Sequence, residues 1–256
     1  MAITIHLTAD DLAEIRFAFS PMWELGMSVM KALRNPAKHV LHLPWLAQAR
    51  KALEGHEVSL LYELMATAAP YIPDFLTPPP ETPFPEFDEE LERVVATPPE
   101  VVRRELGNLR DELGGTLSPA AARLEADPEG TLPTLGEQLA TYWKLTIAEH
   151  WPRIRALHEG DVMYRARQLA LGGAEALFED LHPAVSWRDG VVTIDKGYDA
   201  DVRPGGHGLL LIPVVFNWPG ISGLFGVGWQ TTLSYRPRGI ADLWVASPPP
   251  RSGAMD

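Results

Sequence analysis

The chain has 256 residues, of which 46% are hydrophobic and 22% charged, ordinary globular usage that argues against wholesale disorder. Twenty-two basic against 34 acidic side chains leave a net charge of −12, and a surface that acidic repels phosphate backbones. Cysteine is absent, which excludes disulfides, thiolate metal sites and cysteine nucleophiles together.

The start, Met1-Ala-Ile-Thr-Ile-His-Leu7, lacks the basic and apolar regions of a signal peptide, and no apolar run approaches the roughly 18–20 residues that span a bilayer. A cytoplasmic protein without membrane contact is expected. Ile3, Ile5 and Leu7 alternate with Thr4 and His6, the period of a short strand. Thr8 with Asp11 then reads as a capping box. The spacing of Leu12, Ile15, Phe19, Met22, Gly26, Val29 and Leu33 predicts a long helix with one apolar stripe, kinked at Pro21. The stripe belongs in the chain's own core, or against a twin subunit.

Shorter helices are expected over 46–53 and 59–68. Residues 70–85 hold seven prolines interleaved with Tyr71, Ile72, Phe75, Leu76 and Phe84, which predicts an ordered strap on the surface, since a free linker would be polar. Helices follow around 86–96, 99–113, 118–126, 134–149 and 152–181. After His182-Pro183 strands take over. Asp189-Gly190 marks a hairpin turn between 185 and 194, and the apolar run 207–217 contains Pro213 and so reads as an edge or bulged strand. Alternation at 229–235 and the segment 240–245 complete the strands.

Charge follows the same division. Residues 86–181 carry 10 basic and 19 acidic side chains, whereas 182–256 carry 6 and 6. The expected class is α+β: mainly helical N-terminal two-thirds packed with an antiparallel sheet built from the C-terminal third plus the N-terminal strand. The domain boundaries are 1–181 for the strand and helices and 182–246 for the β region, together one composite domain. Residues 247–256 read as a disordered proline-rich tail.

Chemistry-bearing motifs are sparse. Gly226-Val-Gly228 and Gly205-Gly206-His207-Gly208 lead into strands and are turn glycines rather than phosphate cradles. Gly220-Ile-Ser222-Gly223 lacks the spacing of a nucleophile elbow, so a hydrolase using Ser222 with His207 ranks low. His39 and His42 are three apart. His158 and Asp161 share a helix face, which reads as an exposed ion pair in preference to a metal site. No catalytic residue, metal ligand or cofactor is nominated. The aromatics are more suggestive: Trp23, Trp143, Tyr164, Trp218 and Trp229 are the candidate lining of an apolar ligand pocket, with core plugs as the competing reading.

Several phrases recur in a particular order: His42-Leu-Pro-Trp-Leu46, Ile72-Pro-Asp-Phe-Leu-Thr-Pro-Pro-Pro80, Asp180-Leu-His-Pro183 with Trp187-Arg-Asp-Gly190, Gly208-Leu-Leu-Leu-Ile-Pro213 with Phe216-Asn-Trp-Pro-Gly220, and Trp229-Gln230 through Tyr235 with Arg238-Gly-Ile240 and Leu243-Trp244. Together, over roughly 1–245, they resemble the N-terminal region of bacterial ArsR-like transcriptional regulators. In that group a helical and β region precedes a C-terminal winged helix-turn-helix. The resemblance implies an effector-sensing or dimerising region acting as a homodimer, with an apolar small molecule as effector. DNA contact is expected only through a winged helix missing from this chain. A stand-alone small-molecule binding protein is the alternative.

Overall fold

The computed structural model describes residues 1–69, 71–226 and 228–244. Its class is α+β, as expected, but the strands form two mixed sheets in place of one antiparallel sheet. The first sheet has the order β3 (Val185–Arg188), β4 (Val191–Asp195), β1 (Ala2–His6), β5 (Ala200–Val202). β1 pairs antiparallel with β4 and parallel with β5, so the N-terminus is stitched between strands nearly 200 residues away. The β3–β4 turn is the expected one, with positive φ at both Asp189 and Gly190.

The second sheet has the order β2 (Arg16–Phe17), β6 (Leu210–Pro213), β8 (Thr232–Tyr235), β7 (Ser222–Leu224), with β6 parallel to both neighbours. β6 is therefore internal and pairs in unbroken register, against the edge or bulged strand expected from Pro213. The proline is tolerated because β2 pairs only with Leu210 and Leu211, leaving Pro213 past its reach. The unbroken apolar run has a cause in the packing. Leu210 and Ile212 point into the large helical core, whereas Leu209 and Leu211 point into a second core between the two sheets.

The long N-terminal helix does not form. Helix α1 (Ala9–Ala13) stops after five residues, Arg16–Phe17 is drawn onto β6, and Ser20 restarts the chain as helix α2 (Pro21–Met27) by accepting from the Trp23 amide, with Pro21 in the first turn. A π-helical turn, Ser28–Leu33, continues α2. Met22 and Val29 of the stripe lie in the chain's own core.

The remaining helices follow the reading closely: α3 (Leu43–Ala52), α4 (Ser59–Met65), α5 (Phe87–Val95), α6 (Pro99–Glu112), α7 (Pro119–Ala126), α8 (Pro128–Thr146) and α9 (Trp151–Glu179). Helix α8 begins six residues earlier than expected because Asp127 caps it through the Gly130 amide. The segment expected as a last strand is a 3-10 turn, Ile240–Asp242. The proline-rich tail lies outside the described residues. Among them, no helix is long and apolar enough to cross a membrane.

Asp11 joins the two ends of this fold. Its carboxylate accepts from the Thr8 amide and hydroxyl and from the Gly206 and Gly208 amides, at 2.7–3.1 Å. Burial opposes ionisation, but these donors outweigh it and hold the carboxyl below its usual range. A β-carbon on Gly208, at φ +74°, would overlap the Glu14 carbonyl, so glycine is required there. Asp11→Ala is expected to cost about 2–3 kcal/mol, since it strands the buried Gly208 amide and the half-buried Gly206 amide and removes one half of the capping box. Urea unfolding at pH 7 measures it. The loss should begin to shrink as pH falls below about 4, where the unfolded carboxyl takes up a proton, and vanish only at the lower pH that protonates the folded carboxylate.

Candidate functional site

A cleft of about 450 Å3 opens between the proline strap and the end of the second sheet. Pro79–Pro83 form one wall, and Arg16 and Phe17 of edge strand β2, with Ala18 after it, form the other. Arg93 of α5, His207, Trp229 and Gln230 close it. A neighbouring hollow of about 440 Å3 shares Arg93 and Trp229 and is otherwise lined by Pro78, Pro98, Val101 and Arg104. Trp229 thus stands between two hollows and lines both.

The strap is ordered, as its interleaved apolar residues predict. Phe75 and Leu76 are fully buried, the Pro83 carbonyl accepts from the Phe19 amide at 2.9 Å, and the Pro78 carbonyl accepts from Trp23 Nε1 at 3.3 Å. Arg93 clips the strap from the cleft side, donating to the Pro79 carbonyl at 2.8 Å and pairing with Glu81 at 3.2 Å.

Beneath Trp229 lies a pair of carboxyls. Glu105, buried, accepts from Trp229 Nε1 at 3.1 Å through one oxygen and from the Phe75 amide at 2.7 Å through the other. Asp74 sits nearby, and burial first, then the Glu105 charge, push its carboxyl up to about 7. Glu105 therefore fixes the tryptophan against the strap, while Asp74 holds a proton that the neutral pH range can remove. Sequence reading missed this pair; its visible trace is Asp74, an acid set among the apolar residues of the proline run.

The five aromatic candidates do not converge. Trp229 lines the cleft. Trp23 plugs the core behind the strap, 2% exposed, because α2 runs through the interior. Trp143 stacks on Phe87 at 4.6 Å between centroids and fastens α8 to α5. Tyr164 lies on α9 under the Arg238 guanidinium, 3.8 Å from its ring centre. Trp218 borders a different cavity, beside Arg236 and Ile240. Residue type pointed to these positions, but helix direction decides where each ring points, and only Trp229 faces open space in this cleft.

The remaining polar candidates are placed elsewhere. Ser222 Oγ donates to Asn217 Oδ1 at 2.9 Å and accepts from Lys31 Nζ at 3.0 Å, while His207 lines the cleft and is no partner of Ser222. His158 and Asp161 are buried, not exposed: His158 Nε2 lies 2.9 Å from Glu24 Oε1, and Asp161 accepts from the Arg238 amide at 2.9 Å and pairs with Arg165. The kinked path of the N-terminal segment brings Glu24 opposite α9, which spacing alone does not reveal. His39 binds the Trp218 carbonyl and His42 the Trp244 indole. Among the described residues no group of three His, Cys, Asp or Glu is placed to hold a metal ion.

No curated protein and no solved structure matches the chain. The family model that matches, over residues 100–239, takes in Glu105, His207, Trp229 and Gln230 but neither the strap nor β2. That match covers more than half of the chain, which therefore belongs to the family of unknown function DUF5937.

Proposed function

We propose that this chain is the effector-sensing and dimerising region of an ArsR-like transcriptional regulator, not itself DNA-binding, and that it takes an apolar small molecule into the cleft at Trp229. The supporting observation is the cleft itself, with an aromatic face, apolar floor and a strap held by few polar contacts. Arg93, His207 and Gln230 are polar lining groups that would orient a guest, while Glu105 acts only through the ring of Trp229 that it holds. The resemblance supplies the partner module, and the acidic charge agrees with a piece that leaves DNA to another segment.

A signal requires two arrangements that the effector binds unequally. The structure offers a physical route towards the segment that would lead to a winged helix. Trp244 Nε1 donates to His42 Nδ1 at 3.0 Å, and its ring lies against Trp45, Phe216 and His150. Burial, followed by the His39 charge, pulls His42 down to about 4, so it is neutral at pH 7 and free to accept that bond. Phe216 follows the β6 strand whose other end borders the cleft.

Screening apolar ligands by thermal shift is expected to give binders whose stabilisation is lost in Trp229→Ala, a truncation worth about 1–3 kcal/mol of binding. Light scattering checks the homodimer. A fusion to a winged helix that binds its promoter and responds to such a ligand supports the regulator. Ligand binding with no promoter response in the fusion moves the same cleft to a stand-alone binding protein. Hits that bind Trp229→Ala equally well would remove the cleft from the account.

A further inference from the structure

The loop after β6, residues 217–222, is held by an unusual set of cations. Lys31 Nζ, from the π-helical turn, donates to Ser222 Oγ at 3.0 Å. Lys196 Nζ, just past β4 of the other sheet, donates to the Ile221 carbonyl at 2.5 Å. His39 binds the Trp218 carbonyl at 2.6 Å, and the charge on Arg34 is near enough to act on Lys31. Both lysines are half-buried, and two of the chain's five lysines are therefore spent on adjacent residues of one loop.

What is missing among the described residues is a counter-ion. The chain carries 34 acidic side chains, yet every ion pair among the described residues is formed by arginine or histidine, and neither ammonium has a carboxylate within reach. Taking an ammonium out of water is costly unless it is paired, and a hydroxyl or a carbonyl is weak compensation. The strain shows in Lys31, which burial first, then Lys196 and Arg34, pull down to about 8. Each lysine uses one of its three donors in the bonds above, so four N–H groups remain for a guest. β7, which carries Ser222, is the outer strand of its sheet, and Lys31, Lys196 and Ser222 are each only half-buried, so solvent reaches the site. A π-turn is a common device for aiming a side chain at a functional position.

We propose that Lys31, Lys196 and Ser222 form a binding site for the oxyanion of a small molecule, a carboxylate or a phosphate, distinct from the Trp229 cleft and independent of its assignment. The two ammonium groups supply charge-assisted hydrogen bonds from different elements, the π-turn and the end of β4, and Ser222, whose one O–H is donated to Asn217 Oδ1, positions the Lys31 ammonium by accepting from it. A bound oxyanion replaces the absent carboxylate and links the π-turn to both sheets.

The test is thermal unfolding of the whole chain in sodium phosphate and, separately, sodium benzoate, each against sodium chloride at equal ionic strength. A saturable rise in Tm with either oxyanion supports the site, and the salt that produces it identifies the source of the oxyanion. The apparent affinity should fall about tenfold or more in Lys31→Met and in Lys196→Met, and stay unchanged in the remote Lys144→Met. Lys31→Met deletes a charge that has no acid beside it, so it is expected to fold, which circular dichroism verifies; Lys31→Arg, keeping the charge, should retain part of the binding. No saturable effect from either salt, or equal binding in both methionine variants, overturns the proposal.

Discussion

Replacing Glu24 by alanine is expected to lower the unfolding free energy by about 3–5 kcal/mol. Glu24 is fully buried on α2, and its two oxygens accept from the Val215 amide at 2.7 Å and the Phe216 amide at 3.3 Å. His158 Nε2, also fully buried, lies 2.9 Å away on α9. Removing the carboxylate therefore leaves two buried amides without their acceptor and a buried imidazole without the carboxylate beside it, the situation in which loss of a partner costs far more than the pair contributes. Glu24→Gln keeps one acceptor oxygen and should lose roughly half as much. Urea unfolding reads both, as a shift in midpoint at constant slope. A loss below about 1 kcal/mol in the alanine variant would mean that water or a rotated side chain satisfies the amides, and would contradict this account. The consequence extends beyond stability. Glu24 fastens the turn that carries Phe216 against α2, and Phe216 is part of the aromatic seat of Trp244.

The second large effect is a dependence on pH. Burial, then the Glu105 charge, push the Asp74 carboxyl in the folded chain from the usual carboxylate range up to about 7. A carboxyl raised on folding binds its proton more tightly in the native state, so its contribution is complete below about 4 and is lost as pH rises through about 7. Glu90 is raised to about 7 in the same direction, chiefly by burial, and adds to the slope in the same window. Asp74→Asn removes one of the two titrations. The variant should match the wild type near pH 4 and exceed it by up to about 4 kcal/mol at pH 8. Tm measured from pH 4 to 9 on both proteins decides, and parallel curves would show that Asp74 keeps its ordinary affinity for protons. The two acidic positions are not equivalent. Glu90 accepts from Ser20 Oγ and the Met22 amide, so its substitution breaks a buried junction, whereas burial and the Glu105 charge dominate at Asp74. Ionised Asp74 also places a second negative charge beside Glu105, the acceptor that holds Trp229, so ligand affinity in the cleft should change across the same range.

Patterning and punctuation in the chain itself determined the helices from α3 to α9, the β3–β4 hairpin, the ordered strap and the α+β class. Each rests on local physics: prolines and glycines end helices, Asp189-Gly190 supplies the positive φ of a tight turn, and apolar residues among prolines need a surface to lie on. The N-terminal stripe was the misleading case. Its 3-4 spacing is helical throughout, but pairing with β6 pulls Arg16–Phe17 into an extended edge, and Ser20 then caps a new helix. Tertiary structure alone decided that β1 enters a sheet made nearly 200 residues later, that β6 is internal, and that residues 240–242 turn instead of extending. It also decided the sites. Trp229 could be named from residue type, but its meeting with Glu105, the strap and β2 joins four distant stretches of chain. Lys31, Lys196 and Ser222 are likewise separated by well over a hundred residues from first to last, and nothing in their local sequence marks the counter-ion they lack. Helical and turn preferences are written over a few residues and so are legible in order along the chain. Charge compensation and cavity shape arise between elements, and exist only once those elements are packed.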